Sequence, residues 1–157
     1  MIDISEKPVT RRLAVARGRV IVSPATLEII ATGTIPKGDV LGTARVAGIM
    51  AAKRTPDLVP LCHPIPIDGV SVDLFLDRDR HSVEITATVT CTARTGAEME
   101  ALTAVTAAAL TVYDMCKIVD PAMVITEVLL VEKSGGKSGH WVREGMAPFR
   151  GNRGNTA

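Results

Sequence analysis

RTGAEMEALTAVTAAALTVYDMCK, from Arg94 to Lys117, is the stretch on which the reading of the whole chain turns. From Ala97 to Lys117 it contains no Gly or Pro and is rich in Ala and Leu, so it predicts a helix. Thr95-Gly96 supplies the break before it, and Glu98 and Glu100 fall in the first turn, where carboxylates suit the positive end of the helix dipole. At about 100° per residue, Leu102, Val105, Ala109, Val112 and Cys116 share one side. Glu100, Thr103, Ala107, Asp114 and, more loosely, Lys117 share another.

The polar groups at the two ends of this apolar helix need an explanation. Glu100 and Asp114 point the same way but lie about 21 Å apart along the axis, too far to touch one small molecule within a single subunit. Asp114 and Lys117 are i,i+3 neighbours and can meet. One reading is a surface ion pair plus a dipole-matched N-terminus. The other is two half-sites, one at each end, each completed by a neighbouring subunit.

Working outward, the 157 residues make one domain by length, expected to span 1–140 with a flexible tail over 141–157. The formal net charge is +1 and there are four aromatic residues, which argues against nucleic acid or an anionic membrane as the main partner. No long uninterrupted apolar run and no signal-peptide pattern is present. Cys62, Cys91 and Cys116 are odd in number and lack CxxC spacing, which predicts a reducing, cytoplasmic setting and no metal site. Arg outnumbers Lys by twelve to six, and apart from Lys7 the lysines (Lys37, Lys53, Lys117, Lys133 and Lys137) fall in or beside motif-like stretches. Lysine offers a compact charge for phosphate and a pKa that burial can lower.

Residues 1–16 read as an arm, and RGRVIV (Arg17–Val22) as a first strand. Ser23-Pro24 starts a short helix that closes at Thr32-Gly33. Asp39 caps a second helix, VLGTARVAGIMAAKR, with Val40, Ala44, Ala47 and Ala51 along one stripe and Gly48 allowing close approach to a sheet. Pro56 stops that helix, and VPLCHPIPI (Val59–Ile67) forms a stiff connector holding His63. Val70–Leu76 and Ser82–Thr92 alternate with period two around the charged turn at Asp77–Arg80, a hairpin. The central helix follows, then a last strand, Met123–Val131, and the loop KSGGKSG (Lys133–Gly139). The order β, α, α, β, β, α, β predicts an α+β fold, the ferredoxin-like split-βαβ plan, with an antiparallel sheet backed by helices on one face.

KSGGKSG joins a flexible backbone to two ammonium groups and suits a polyphosphate, but neither Walker A nor GxGxxG spacing occurs. Lys37, Lys53, His63, Glu98, Glu100, Asp114, Lys117 and the loop lysines together read as a site where cations hold an anionic substrate while carboxylates, Lys or His move protons. A regulatory phosphate-binding module would keep the lysines but has no use for the carboxylates.

KGDVLGTARVAGIMAAKRTPDLVPLCHP, TGAEMEALTAVTAAALTVYDMCK and KSGGKSG, in this order, resemble the signatures of the cyclic pyranopterin monophosphate synthases of molybdenum cofactor biosynthesis. The resemblance covers about Ile2 to Gly139. It implies a ferredoxin-like subunit assembled as dimers into a hexamer, a trimer of dimers, with active sites at the dimer interface and no cofactor. It also implies a lyase acting on 3',8-cyclo-7,8-dihydroguanosine triphosphate, releasing pyrophosphate and leaving a pyranopterin with a cyclic phosphate. Carried over residue by residue, the catalytic pair falls on Asp114 and Lys117, with Lys53 as a further catalytic lysine. Substrate contacts fall on Leu61, Cys62, His63, Met99 and Glu100 with Glu98 alongside, and on Lys37, Lys133 and, for the triphosphate, Arg12. A buried Lys117 of lowered pKa beside Asp114 is the expected acid–base pair. Family members usually carry a short segment before an MVDVS-like start, where this chain has Met1-Ile2-Asp3-Ile4-Ser5.

Overall fold

The computed structural model describes residues 1–146. Five strands form one antiparallel sheet in the order β2-β3-β1-β4-β5. In chain order the elements are β1 (Thr10–Ile21), α1 (Pro24–Ala31), α2 (Val40–Ala52), α3 (Thr55–Leu58), β2 (Ile67–Asp77), β3 (Ser82–Ala93), α4 (Glu98–Cys116), β4 (Val124–Ser134) and β5 (His140–Val142). This is the expected α+β, ferredoxin-like arrangement.

β1 is twice as long as the alternation at Arg17–Val22 suggests, and it takes in the supposed arm from Thr10 onward. Its register explains the face each residue uses. Ala14 pairs with Val89, Ala16 with Ala87, Gly18 with Ile85 and Val20 with Val83. These residues line the buried side, and Arg12, opposite Cys91, belongs to the same side at its end. The partners on the other side are Leu13 with Thr90, Val15 with Thr88 and Arg17 with Thr86. β5 extends the sheet by pairing His140 with Ser134 and Val142 with Glu132, so Trp141 and Val142 are strand residues. The remainder of the expected flexible tail, 147–157, lies outside the described residues.

The helix starts follow the sequence. Ser23 accepts a hydrogen bond from the Thr26 N–H, and Asp39 accepts one from the Gly42 N–H. The Ser23 N–H in turn donates to buried Asp120 at 2.7 Å. α2 ends at Ala52, two residues before the expected end, and its buried stripe is Val40, Ala44, Gly48 and Ala52. Pro56 sits in the first turn of α3 instead of only ending α2, because proline suits a helix start.

The core is made of small side chains. Ala101, Ala104, Val105, Ala108, Ala109 and Val112 of α4 are all fully buried. Gly48 is the key to the fit: a Cβ there would lie 2.9 Å from the Ala104 carbonyl oxygen and 3.2 Å from Val72. Its missing side chain brings α2 close to α4 as well as to the sheet, which fixes where Lys37 meets the far end of α4.

Candidate active site

At the C-terminal end of α4, Asp114 is held between two lysines. Lys117 Nζ lies 2.7 Å from Asp114 Oδ1, the expected i,i+3 contact. Lys37 Nζ donates to Asp114 Oδ2 at 2.7 Å and to the Asp114 carbonyl oxygen at 3.0 Å. Lys37 reaches this point from the turn before α2, where Gly38 at φ +93° reverses the chain and Asp39 begins the helix. The hydrogen bond from Lys117, then that from Lys37, holds the Asp114 carboxyl at about 2.

Lys117 departs from the expectation of a buried, easily deprotonated amine. Its side chain is 52 % exposed, and its pKa is raised, first by its hydrogen bond to Asp114. In this geometry the cluster is a carboxylate flanked by two ammonium ions. It is suited to stabilising negative charge and donating a proton, and Lys117 does not act as a neutral base here.

The other end of α4 is built differently. Glu100 is 1 % exposed and its Oε2 has no hydrogen-bond partner among the described residues, while Cys62 Sγ lies 3.9 Å from Oε1. Burial pushes the Glu100 carboxyl up from its ordinary range. Burial, followed by the charge of Glu100, likewise raises the Cys62 thiol, so Cys62 is not a ready nucleophile. Glu98, two residues nearer the start of α4 and more exposed, pairs with Lys133 of β4 at 3.1 Å.

Arg12 organises the glycine-lysine loop. Its guanidinium donates to the Gly135 carbonyl at 3.4 Å and to the Arg94 carbonyl at 3.2 Å. Gly135 and Gly136 have φ of +100° and +70°, and a Cβ on Gly136 would run into the guanidinium. The loop therefore wraps the arginine as only glycine permits. The adjoining cavity, about 430 Å³, is lined by Lys7, Arg12, Arg94, Glu98, Lys137 and Ser138 among others.

Lys7 and Arg94 are the residues that sequence reasoning missed. The Arg94 Nε donates to the Lys7 carbonyl at 3.2 Å, so one cation pins the segment carrying the other. Arg94 borders the TGAEME motif, whereas Lys7 lies in the supposed arm with no motif beside it, and only the fold brings the two together.

The other expected site residues are placed without being joined to either cluster. Lys53 is an exposed residue at the end of α2, and no hydrogen bond or ion pair among the described residues links it to Asp114 or Lys117. His63 is half-buried beside Cys62, and its carbonyl accepts from the Cys62 thiol at 3.7 Å. Leu61 and Met99 lie on the surface, 72 % and 38 % exposed. Within one chain the expected residues thus form two clusters at opposite ends of one 19-residue helix, about 20 Å apart along its axis.

Among the described residues no group of three or more His, Cys, Asp or Glu is gathered as metal ligands. Nor is any of their helices long and apolar enough to cross a membrane.

Comparison with known proteins agrees with the geometry. The sequence model of the MoaC family matches residues 1–136. A protein of Chloroflexus aggregans is 57 % identical over 147 residues, covering 94 % of this chain and 89 % of that protein. One of Streptomyces griseus is 61 % identical over 143 residues, 91 % of this chain and 80 % of that protein. A third, from Desulforamulus reducens, is 60 % identical over 150 residues, 95 % and 90 % of the two chains. All three relatives carry the name cyclic pyranopterin monophosphate synthase. With its family match, its ferredoxin-like sheet and its lysine-rich clusters in agreement, the chain belongs to the MoaC family.

Proposed function

We propose that the protein converts 3',8-cyclo-7,8-dihydroguanosine triphosphate to cyclic pyranopterin monophosphate with release of pyrophosphate, a step of molybdenum cofactor biosynthesis. The observation that carries this reading is the Lys37–Asp114–Lys117 cluster, at the opposite end of α4 from the cation-lined cavity. The two halves form one site only where a second subunit supplies the missing end. The working unit is a dimer with two shared sites, within a hexamer, in the cytoplasm. Free Cys62, Cys91 and Cys116 fit a reducing compartment.

The chemistry divides between the two ends. Arg12, with Lys7, Arg94 and Lys137 of the cavity, neutralises the triphosphate. Closing a cyclic phosphate and expelling pyrophosphate builds negative charge, which ammonium groups stabilise. Lys37 and Lys117 supply two such groups, held in place by Asp114. The ring rearrangement also needs a group able to give and take a proton near neutrality. The buried Glu100, with its raised pKa, suits that role better than Asp114, held at about 2. Cys62, 3.9 Å from it, and the adjoining His63 contact the base in this reading. Lys53 remains a catalytic candidate brought in by closure of the complete site.

A regulatory phosphate-binding module would leave Glu98, Glu100 and Asp114 without a purpose, since carboxylates weaken polyphosphate binding. The decisive assay is pyrophosphate release from the cyclised dihydro-GTP intermediate by the parent, Lys117→Ala and Asp114→Ala. Release by the parent and a loss of at least about a thousandfold in both variants, with folding retained, is the expected result. A folded parent that releases nothing would leave the binding module as the better account.

A further inference from the structure

The Lys37–Asp114–Lys117 cluster cannot hold its own shape. All three side chains are exposed to solvent. Ion pairs in such a setting are weak, and long side chains stray from them. The geometry must therefore be imposed by the backbone that carries the three residues.

Asp120, at the third position after Lys117, is a carboxylate only 8 % exposed that the chemistry above does not use. Its Oδ2 accepts the Ser23 N–H at 2.7 Å, at the start of α1. Burial, the largest influence on this carboxyl, acts upward. Hydrogen bonds from the Ser23 backbone, the Thr26 and Ser23 side chains and the Ala122 backbone outweigh it and hold the group below its ordinary range. The partners are themselves fixed: Thr26 is buried, and its hydroxyl lies 2.8 Å from Ser23 Oγ. A carboxylate at the start of α1 also meets the positive end of that helix dipole.

This joint closes a circuit through the cluster. On one branch, the N–H groups of Val119 and Asp120 both donate to the Cys116 carbonyl, at 2.9 and 3.0 Å, so the chain turns tightly just after Lys117. The Tyr113 hydroxyl donates to the Pro121 carbonyl at 3.0 Å and ties the same turn back to α4. On the other branch, α1 runs from Ser23 to a turn anchored by buried Ile35, whose carbonyl accepts the Gly38 N–H at 2.9 Å with Lys37 between them. The branches meet inside at Ser23–Asp120 and outside at Lys37–Asp114. The inner contact is buried and charge-assisted, the outer one exposed, so the inner contact sets the span across which the outer one forms.

Resting on the catalytic role proposed above for the cluster, we infer that Asp120 is a positioning residue: it locks the turn after α4 onto the start of α1 and so holds Lys117 and Lys37 against Asp114. It acts through the two lysines.

The test reads Lys117 without substrate. In protein carrying 13C-labelled lysine, with the Lys117 signal assigned from Lys117→Arg, a pH titration follows its ammonium group by NMR. The parent value is raised, first by the hydrogen bond to Asp114. Asp120→Ala is expected to bring it back toward the ordinary lysine value. The same variant is expected to lower kcat for pyrophosphate release about tenfold or more, with KM changed less than about twofold, as for misplaced catalytic groups. Asp120→Asn, whose amide oxygen still accepts the Ser23 N–H, is expected to restore most of both. Val83→Ala, in the hairpin core, is expected to lower Tm and leave the Lys117 titration in place, which separates positioning from general loss of stability. Circular dichroism reports folding, and Asp120→Glu, which keeps the charge but lengthens the tether, carries the test if Asp120→Ala does not fold. An unchanged Lys117 titration in the folded variant, or an equal shift in Val83→Ala, would overturn the inference. A shifted titration in a protein whose parent releases no pyrophosphate would sink the catalytic reading and leave the positioning intact.

Discussion

Glu100 and Asp114 show how environment divides the work of two carboxylates on one helix. Asp114 is exposed but hydrogen-bonded by two ammonium groups, which favours its charged form. Its folded pKa is depressed, so the stability it contributes is present above the unfolded carboxylate value and is lost as pH falls toward about 2. Glu100 is the reverse case. Its folded pKa is raised, so its contribution is favourable at low pH and is lost as pH rises through the folded value. Glu100→Gln removes that loss while keeping the shape. The variant is therefore expected to gain thermal stability relative to the parent, with the gain larger at pH 8 than at pH 5 in paired melting curves. Its pyrophosphate release is expected to fall by about a hundredfold or more, as for loss of a general acid–base group. A Tm difference that is constant with pH would show that Glu100 is ionised in the folded protein.

The single residues also show where sequence ran short. That Asp114 meets Lys117 was legible, because i,i+3 spacing on a helix fixes the contact. That Lys37 completes the cluster was not, because the contact bridges 77 positions through the packing of α2 on α4. The burial of Glu100 was missed for the same reason: its helical face is shared with Asp114, and only neighbouring elements make one buried and the other exposed.

Among the elements, α2 and the loop after β4 position the site and can be tested by one methyl group each. Gly48→Ala drives a Cβ against the Ala104 backbone oxygen. Overpacking of this kind costs about 1–3 kcal/mol, which outweighs the up to about 1 kcal/mol that Ala gains over Gly in a helix. A Tm lower by several degrees is the expected result of calorimetry. Gly136→Ala meets both a positive φ and the Arg12 guanidinium. It should displace Arg12, proposed to hold the triphosphate, raising KM about tenfold with a smaller change in kcat. An unchanged KM would mean that the loop does not set Arg12.

α4, the hairpin and the two capped helix starts were readable because period, caps and turn chemistry are local signals. β1 was cut short because Thr10-Arg11-Arg12 lacks an apolar alternation. The strand persists there because Thr10, Arg11 and Arg12 pair with Ala93, Thr92 and Cys91 of β3, and from Leu13 onward β4 pairs on the other side as well. β5 is three residues long and exists through its pairing with β4, which no local pattern announces.

At the scale of the molecule, one proposal organises the rest: that a single α4 carries half of two sites. Random exchange between two inactive variants then has a definite outcome. A subunit lacking Asp114 and one lacking Arg12 form a mixed dimer with one fully intact site and one doubly defective site, provided the two residues act in sites shared across a two-fold axis. The most direct measurement is pyrophosphate release after mixing Asp114→Ala with Arg12→Ala under conditions that exchange subunits. Recovery to about a quarter of the parent's rate is predicted, since half the dimers are mixed and each holds one good site of two. A mixture as inactive as its components, with exchange verified by mass, would contradict the shared site and place both halves of the chemistry within one chain.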